Sequence, residues 1–197
     1  MREKIDCFLP CADIADLAET IGDLSASKTV QHIHLLTGDA TNINNIPQGV
    51  ELLETRHPLS TDAILQIAER TDAEYVLIST KPTPVRLGQH SLERFLRVAA
   101  DANAAMVYSD HYSVVEGTVV RHPVIDYQKG SVRDDFDFGQ LVLVNASMLH
   151  EYAATPPVHK YAHAGLYDLR LFLSRKGEIF HINEYLYTEE ELDNRKS

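Results

Sequence analysis

The chain has 197 residues, 44% of them hydrophobic and 24% charged, with a formal net charge of -11. That length can bury a substantial core and suits one domain, and the composition is that of an ordinary globular protein, not a disordered or membrane one. The negative charge argues against nucleic-acid backbones and anionic membranes as main partners, because both would repel it at long range, while leaving room for a local basic cluster that binds a small phosphate.

Met1-Arg2-Glu3-Lys4 leads into only a short apolar run ending at Pro10. No signal peptide is expected from it, and no later stretch approaches ~18 apolar residues, so a cytoplasmic location without a transmembrane segment is expected. Ile5 to Leu9 reads as a first strand. Ile14, Leu17, Ile21 and Leu24 then repeat at helical spacing, with Asp13 placed to cap that helix. Cys7 and Cys11, the only cysteines, offer neither a disulfide framework nor a four-ligand zinc site and are expected as buried thiols. His32 and His34 share one face of a second strand, His32 to Leu36, with no third ligand in view.

Val50 to Leu53, Tyr75 to Ile78 and Ala105 to Tyr108 continue the rhythm of apolar runs about every 20 to 30 residues, the spacing of strands separated by helical crossovers. Ser60 or Thr61 can cap a helix through Ile64, Ile67 and Ala68. Ser91 can cap another whose Leu92, Phe95, Leu96 and Ala99 form one stripe. Such β-α-β units place the carboxyl ends of the strands on one edge of the sheet, where ligands bind.

After Asp110 the pattern turns to mixed α+β. Ser113 to Val115 and Thr118 to Val120 flank Glu116-Gly117 as a hairpin, and Gln140 to Val144 gives another strand. A helix follows from about Tyr167 to Lys176, with Gly177 placed to end it in a left-handed conformation, and Ile179 to Ile182 reads as the last strand. From Thr188 to Ser197 the chain is almost wholly polar, either a disordered end or the start of a linker. No glycine-rich phosphate fingerprint of the Rossmann or P-loop type is present, and no G-x-S-x-G elbow supports a Ser-His-Asp triad.

Taken in order, Ile5-Asp6-Cys7-Phe8-Leu9-Pro10, Ile33 to Leu36 with Thr37-Gly38-Asp39, and Glu74-Tyr75-Val76-Leu77-Ile78 resemble the opening strands of family 2 glycosyltransferases. The resemblance continues through Ala105-Met106-Val107-Tyr108-Ser109-Asp110, Tyr167-Asp168-Leu169-Arg170-Leu171 and Glu184-Tyr185-Leu186-Tyr187, nearly the whole chain. It implies an α/β fold of GT-A type: a Rossmann-like, mixed nucleotide-binding sheet flanked by helices. Residues 1–187 would form one domain, with 1–110 the nucleotide-binding half and 111–187 an α+β acceptor-side half. The implied function is sugar transfer from a nucleotide-diphosphate sugar to a glycan or lipid-linked acceptor. The alternative is a catalytically silent domain that binds a nucleotide sugar or serves as an interaction module; a nucleotidyltransferase on a related sheet is a third reading, one for which the loop after the first strand lacks the Gly-rich, Arg/Lys-bearing pattern.

The resemblance implies Pro10, Asp39, Lys81, Asp110 and Arg133 as donor-side residues. Where the family carries Asp-x-Asp to hold Mg²⁺ or Mn²⁺ against the diphosphate, this chain has Ser79-Thr80-Lys81, so the usual metal ligands are absent. Lys81 is either a fixed cation in the metal's place or a solvated loop lysine. Asp110 is either a ligand to metal, ribose or sugar, or the cap of the following turn; Asp39 either contacts the nucleoside or belongs to a turn. The acidic pair that supplies the family's general base is replaced by Gly165-Leu166, leaving Asp134, Asp135 and Asp137 as the catalytic candidates. In an extended segment Asp135 and Asp137 point the same way, and Arg133 either neutralises them, knitting a charged loop together, or binds phosphate.

Overall fold

A computed structural model describes residues 3–43, 45–128, 136–155 and 157–190. The elements are β1 (Ile5–Pro10), α1 (Ala18–Ala26), β2 (Val30–Thr37), a short 3-10 helix (Ala40–Asn42), β3 (Val50–Glu54), α2 (Thr61–Arg70), β4 (Tyr75–Ser79) and β5 (Val85–Leu87). They continue with α3 (Ser91–Asp101), β6 (Met106–Val115), β7 (Thr118–His122), β8 (Leu141–Asn145), α4 (Ala146–Ala154), α5 (Gly165–Lys176) and β9 (Ile179–Glu189). Nine strands form one mixed sheet in the order β3-β2-β1-β4-β8-β6-β9-β5, with β7 paired to β6. The first four strands by sequence are mutually parallel. β8 runs antiparallel to β4, and β9 lies parallel to β6.

Alternation along the strands divides the core into two layers. Ile5, Cys7 and Leu9 of β1 face α1 and α3, meeting Leu17, Ile21, Leu24, Phe95 and Ala99. Phe8, Leu36, Val76 and Ile78 face the other side, where Ile64 and Ile67 of α2, Leu149 of α4 and Leu166, Leu169 and Leu173 of α5 pack. Both cysteines are buried and free, and burial pushes the Cys7 thiol pKa far up, which suits an inert core residue. Asp6 is the exception in a strand buried along its length: its Oδ2 accepts from the amides of Asp72 and Ala73 at 2.8 and 2.9 Å, and its Oδ1 meets His32 Nδ1 at 2.9 Å. A buried carboxylate persists there because several partners replace its water.

Several local expectations are corrected. The first helix begins at Ala18, and Asp13 instead closes a turn by accepting from the Ala15 amide. Ser60 does cap α2, accepting from Ala63. Ser91 is already inside α3; His90, in the left-handed region at φ 58, precedes it and no side chain caps the helix. Met106 to Tyr108 of one expected run and Ser113 to Val115 of another belong to one strand, β6, so Asp110 lies in its interior and not at its end. Gly177 is extended (φ -161), and its role is steric, since a Cβ there would press on Ala105 at 3.0 Å. β5 and α4 were not expected, and β9 continues to Glu189, making Thr188 and Glu189 strand residues paired with Arg86 and Val85.

Candidate functional site

The parallel strands β1, β2 and β4 deliver their carboxyl ends to one edge of the sheet, and a cavity of about 380 Å³ opens there. Pro10 and Cys11 line it from β1, Gly38 from β2, Thr80 and Pro82 from beyond β4, and His57 and His163 from two loops. The two imidazoles meet edge to face with ring centroids 4.6 Å apart. A neighbouring hollow of about 740 Å³ shares Gly38, His57 and Ala162 and adds Arg56, Gln66, Lys160 and Tyr161. Lys160 is paired with Asp62 at 2.6 Å, whereas Arg56 makes no ion pair among the described residues. Both volumes fall in the range of small-molecule sites, roughly 300–1,000 Å³.

The wall between α2 and α5 explains the loop that carries His163. The Thr61 amide donates to the Tyr161 carbonyl, the Tyr161 amide to Thr61 Oγ1, and the Leu166 amide to the Leu59 carbonyl. Gly165 sits so close to Ser60 and Thr61 that a Cβ would overlap their backbone. No acidic side chain fits at this helix start, where the resemblance would place the general base.

Pro10 lines the cavity. Asp39 flanks it and caps the 3-10 helix, its Oδ1 accepting from the Thr41 amide at 2.9 Å and the Thr41 hydroxyl at 2.6 Å. Lys81 follows the cavity residue Thr80, and its half-exposed ammonium lies 2.6 Å from Glu189 Oε2. Asp110 is turned inward at the irregular pairing of β6 with β9 and accepts on Oδ1 from the Val124 amide and from His181 Nε2, both at 2.9 Å. Arg133, Asp134 and Asp135 lie outside the described residues.

Asp137 belongs to a second polar group beside β4. Its Oδ1 accepts from the Gly139 amide at 2.8 Å and its Oδ2 meets His122 Nε2 at 3.0 Å. Burial opposes the carboxylate charge, but those two bonds outweigh it and hold the Asp137 pKa below its ordinary range. The His122 ring stacks on His111 at 4.4 Å, His111 stacks on Tyr187, and His111 Nε2 lies 3.3 Å from Glu189. Gln140, fully buried, ties this group to the cavity edge: its carbonyl accepts from the Thr80 amide, its amide donates to Tyr187 Oη and Glu189 Oε1, and its side chain donates to Ser79 Oγ. Gly139, at φ 72, is required where a Cβ would strike the Tyr187 hydroxyl.

Among the described residues, no three His, Cys, Asp or Glu side chains converge as a metal centre. At the end of β4 the donor set does not suit a divalent cation: Ser79 Oγ donates to the Lys81 carbonyl and the neighbouring side chain is itself a cation. No helix among the described residues is long and apolar enough to cross a membrane.

His57, His163, Arg56 and His122 were not singled out from sequence. His57-Pro58 directly follows a strand in a β-α-β unit, and that position was the available signal for His57. Nothing local marks His122, whose partner lies 15 residues away.

No family model matches the chain, and no curated protein matches it in sequence. Solved structures do. Residues 1–349 of S. aureus TarS in complex with UDP-GlcNAc superpose with a TM-score of 0.64 at 12% identity over 97% of this chain and 59% of that one. The 4-diphosphocytidyl-2C-methyl-D-erythritol synthase of Anaerococcus prevotii gives 0.58 at 12% identity over 93% and 90%. The bifunctional IspDF of Campylobacter jejuni gives 0.53 at 10% identity over 92% and 50%. The chain thus spans only half to three fifths of the TarS and IspDF chains. The chain shares with these structures its fold, a mixed α/β sheet flanked by helices.

Proposed function

We infer that the cavity at the ends of β1, β2 and β4 binds a nucleoside-diphosphate sugar and that the domain transfers the sugar to a hydroxyl of a glycan or lipid-linked acceptor. The observation that carries this reading is the cavity itself, walled by Pro10, Gly38 and Thr80 at the carboxyl ends of three neighbouring parallel strands. Ligands of open α/β sheets bind at such strand ends. The likeness to TarS with UDP-GlcNAc supports the donor class, and that to the diphosphocytidyl synthase supports a nucleotide in the same edge of the sheet. Among the described residues, Lys81 and Arg56 are cations near this edge that could meet a leaving diphosphate.

A second reading, binding without transfer, is favoured by Gly165, whose packing against Ser60 leaves no room for the family's acid. One experiment addresses both. Thermal unfolding is followed with UDP-, GDP- and dTDP-sugars and with CTP, each with and without Mn²⁺. A ligand at about 100 times its Kd stabilises the native state by about 2.7 kcal/mol, which for a domain of this size raises Tm by roughly 5–10 °C. A shift with a nucleotide sugar that does not need Mn²⁺ is expected. A shift with CTP alone would move the assignment to nucleotidyl transfer, and no shift with any ligand would remove the nucleotide reading. Release of nucleoside diphosphate by the binding-competent protein separates transfer from silent binding.

A further inference from the structure

We propose that His122 is the general base that takes the proton of the acceptor hydroxyl, with Asp137 as its positioning residue, a role that rests on the sugar-transfer reading. The pair is a histidine and a carboxylate held 3.0 Å apart, both half exposed, on the side of the sheet edge away from His57 and His163. Asp137 is fixed twice, by the Gly139 amide and by His122, so its carboxylate sets the ring's orientation as an orienting acid does in a catalytic triad. Because Asp137 engages Nε2, that nitrogen carries the proton and Nδ1 keeps its lone pair. Among the described residues, no other hydrogen bond reaches the His122 ring.

The placement is what turns the pair into a candidate base. From Thr80 in the cavity wall, the backbone bond to Gln140 leads within three residues to Asp137. On the inner side, His111 is buried between His122 and Glu189, and Glu189 holds Lys81. A half-exposed imidazole on one side of the buried His111 ring, and Glu189 with the half-exposed Lys81 on the other, thus sit together at the edge where the donor diphosphate and sugar would lie. Displacement at an anomeric carbon needs this division of labour, with positive charge toward the leaving phosphate and a proton acceptor toward the incoming hydroxyl.

The step balances without another reactant. The acceptor oxygen bonds to the anomeric carbon, its proton passes to His122 Nδ1, and the bond from that carbon to the phosphate oxygen breaks with its electron pair leaving on the diphosphate. The imidazolium then returns its proton to water. The titratable and charged groups around the pair are His111 on β6, stacked on the His122 ring, Glu189 on β9 beside His111, Lys81 paired with Glu189, and Arg170 of α5, which lies 4.6 Å over the Phe138 ring next to Asp137.

The test uses the full chain, with UDP-GlcNAc, GDP-mannose and dTDP-glucose as probes, and reads donor binding by thermal shift and turnover by diphosphate release. His122→Gln is expected to keep the donor-induced shift and its own Tm while losing about 100-fold in turnover. Asp137→Asn is expected to keep binding, lose turnover to a smaller extent and displace the acid limb of the pH profile. A His122→Gln protein that turns over donor at the wild-type rate overturns the assignment, as does a wild type that binds donor but releases no diphosphate. A wild type that binds none of the probes instead defeats the nucleotide-sugar reading, and the base assignment falls with it.

Discussion

Lys81 is the residue on which charge balance at the cavity edge turns. Its ammonium is half exposed and 2.6 Å from Glu189, a carboxylate that also accepts from the Gln140 amide. With the lysine half exposed and Glu189 only 12% exposed, solvent still screens the pair in part, and it contributes about 1 kcal/mol to stability, so its geometry matters more to a ligand than to the fold. Lys81→Ala is expected to leave Tm within about 4 °C of wild type. It should nevertheless weaken donor binding by roughly tenfold, because Glu189 is left facing the diphosphate without its counter-charge. Glu189→Gln should act in the opposite sense on affinity. Titrating both variants with a nucleotide sugar checks the pair; unchanged affinity in Lys81→Ala would assign the phosphate to Arg56 instead. Lys81 was singled out in the sequence through the resemblance, which sets it where the family carries a carboxylate, and the structure puts it next to the cavity residue Thr80. His57 and His122 were not, because one is brought to the cavity by loop packing and the other by pairing across the β7-to-β8 connection.

At the scale of elements, the docking of α5 on α2 decides what chemistry this edge can hold. Gly165 begins α5 where any Cβ would overlap the backbone of Ser60 and Thr61, and the adjoining Leu166 and Thr61 amides are both committed to that junction. Gly165→Ala therefore overpacks a backbone contact that cannot rotate away, and an expected loss of about 1–3 kcal/mol follows, read as a lowered urea midpoint with unchanged slope. Gly165→Glu should be worse still and should not create activity, since the helix must back away from α2 before the acid can reach the cleft. A stable, active Gly165→Glu protein would contradict this packing. The elements themselves were readable where periodicity and a cap coincided, as in α2 with Ser60. They were not readable where tertiary pairing supplied the order: β5 has three residues and is held by β9 and by Thr20, whose hydroxyl bonds both the amide and the carbonyl of Val85. The same non-local pairing with β9 carries β6 straight through Asp110, where a local reading ends the strand.

For the whole molecule, the first four strands and their crossovers were visible in the hydrophobic rhythm, whereas the order β8-β6-β9-β5 depends on contacts between distant segments and left no local signature. The folded sheet also buries the imidazoles of His34 and His111 in separate places, and this makes its stability depend on pH. His34 stacks on Phe8 at 4.5 Å, with Nε2 buried and unbonded; burial lowers its pKa, more than the nearby Glu51 raises it. His111 is lowered first by burial and further by His122, against the pull of Glu189. In the unfolded chain both titrate near 6.5. Between the lowered folded values and about 6.5 the unfolded state binds more protons than the native one, so stability rises with pH across that window. It is fully present above about 6.5 and is lost as acid drives the buried rings to charge. The slope for each group is at most about 1.4 kcal/mol per pH unit. Urea unfolding at a series of pH values below 6.5 should show this decline, and His34→Phe, which keeps an aromatic ring against Phe8, should flatten part of it while leaving stability near pH 7.5 within about 1.5 kcal/mol of wild type. An undiminished slope in that variant would mean that His34 is protonated at no energetic cost in the fold, and that its unbonded Nε2 reaches water more readily than its burial implies.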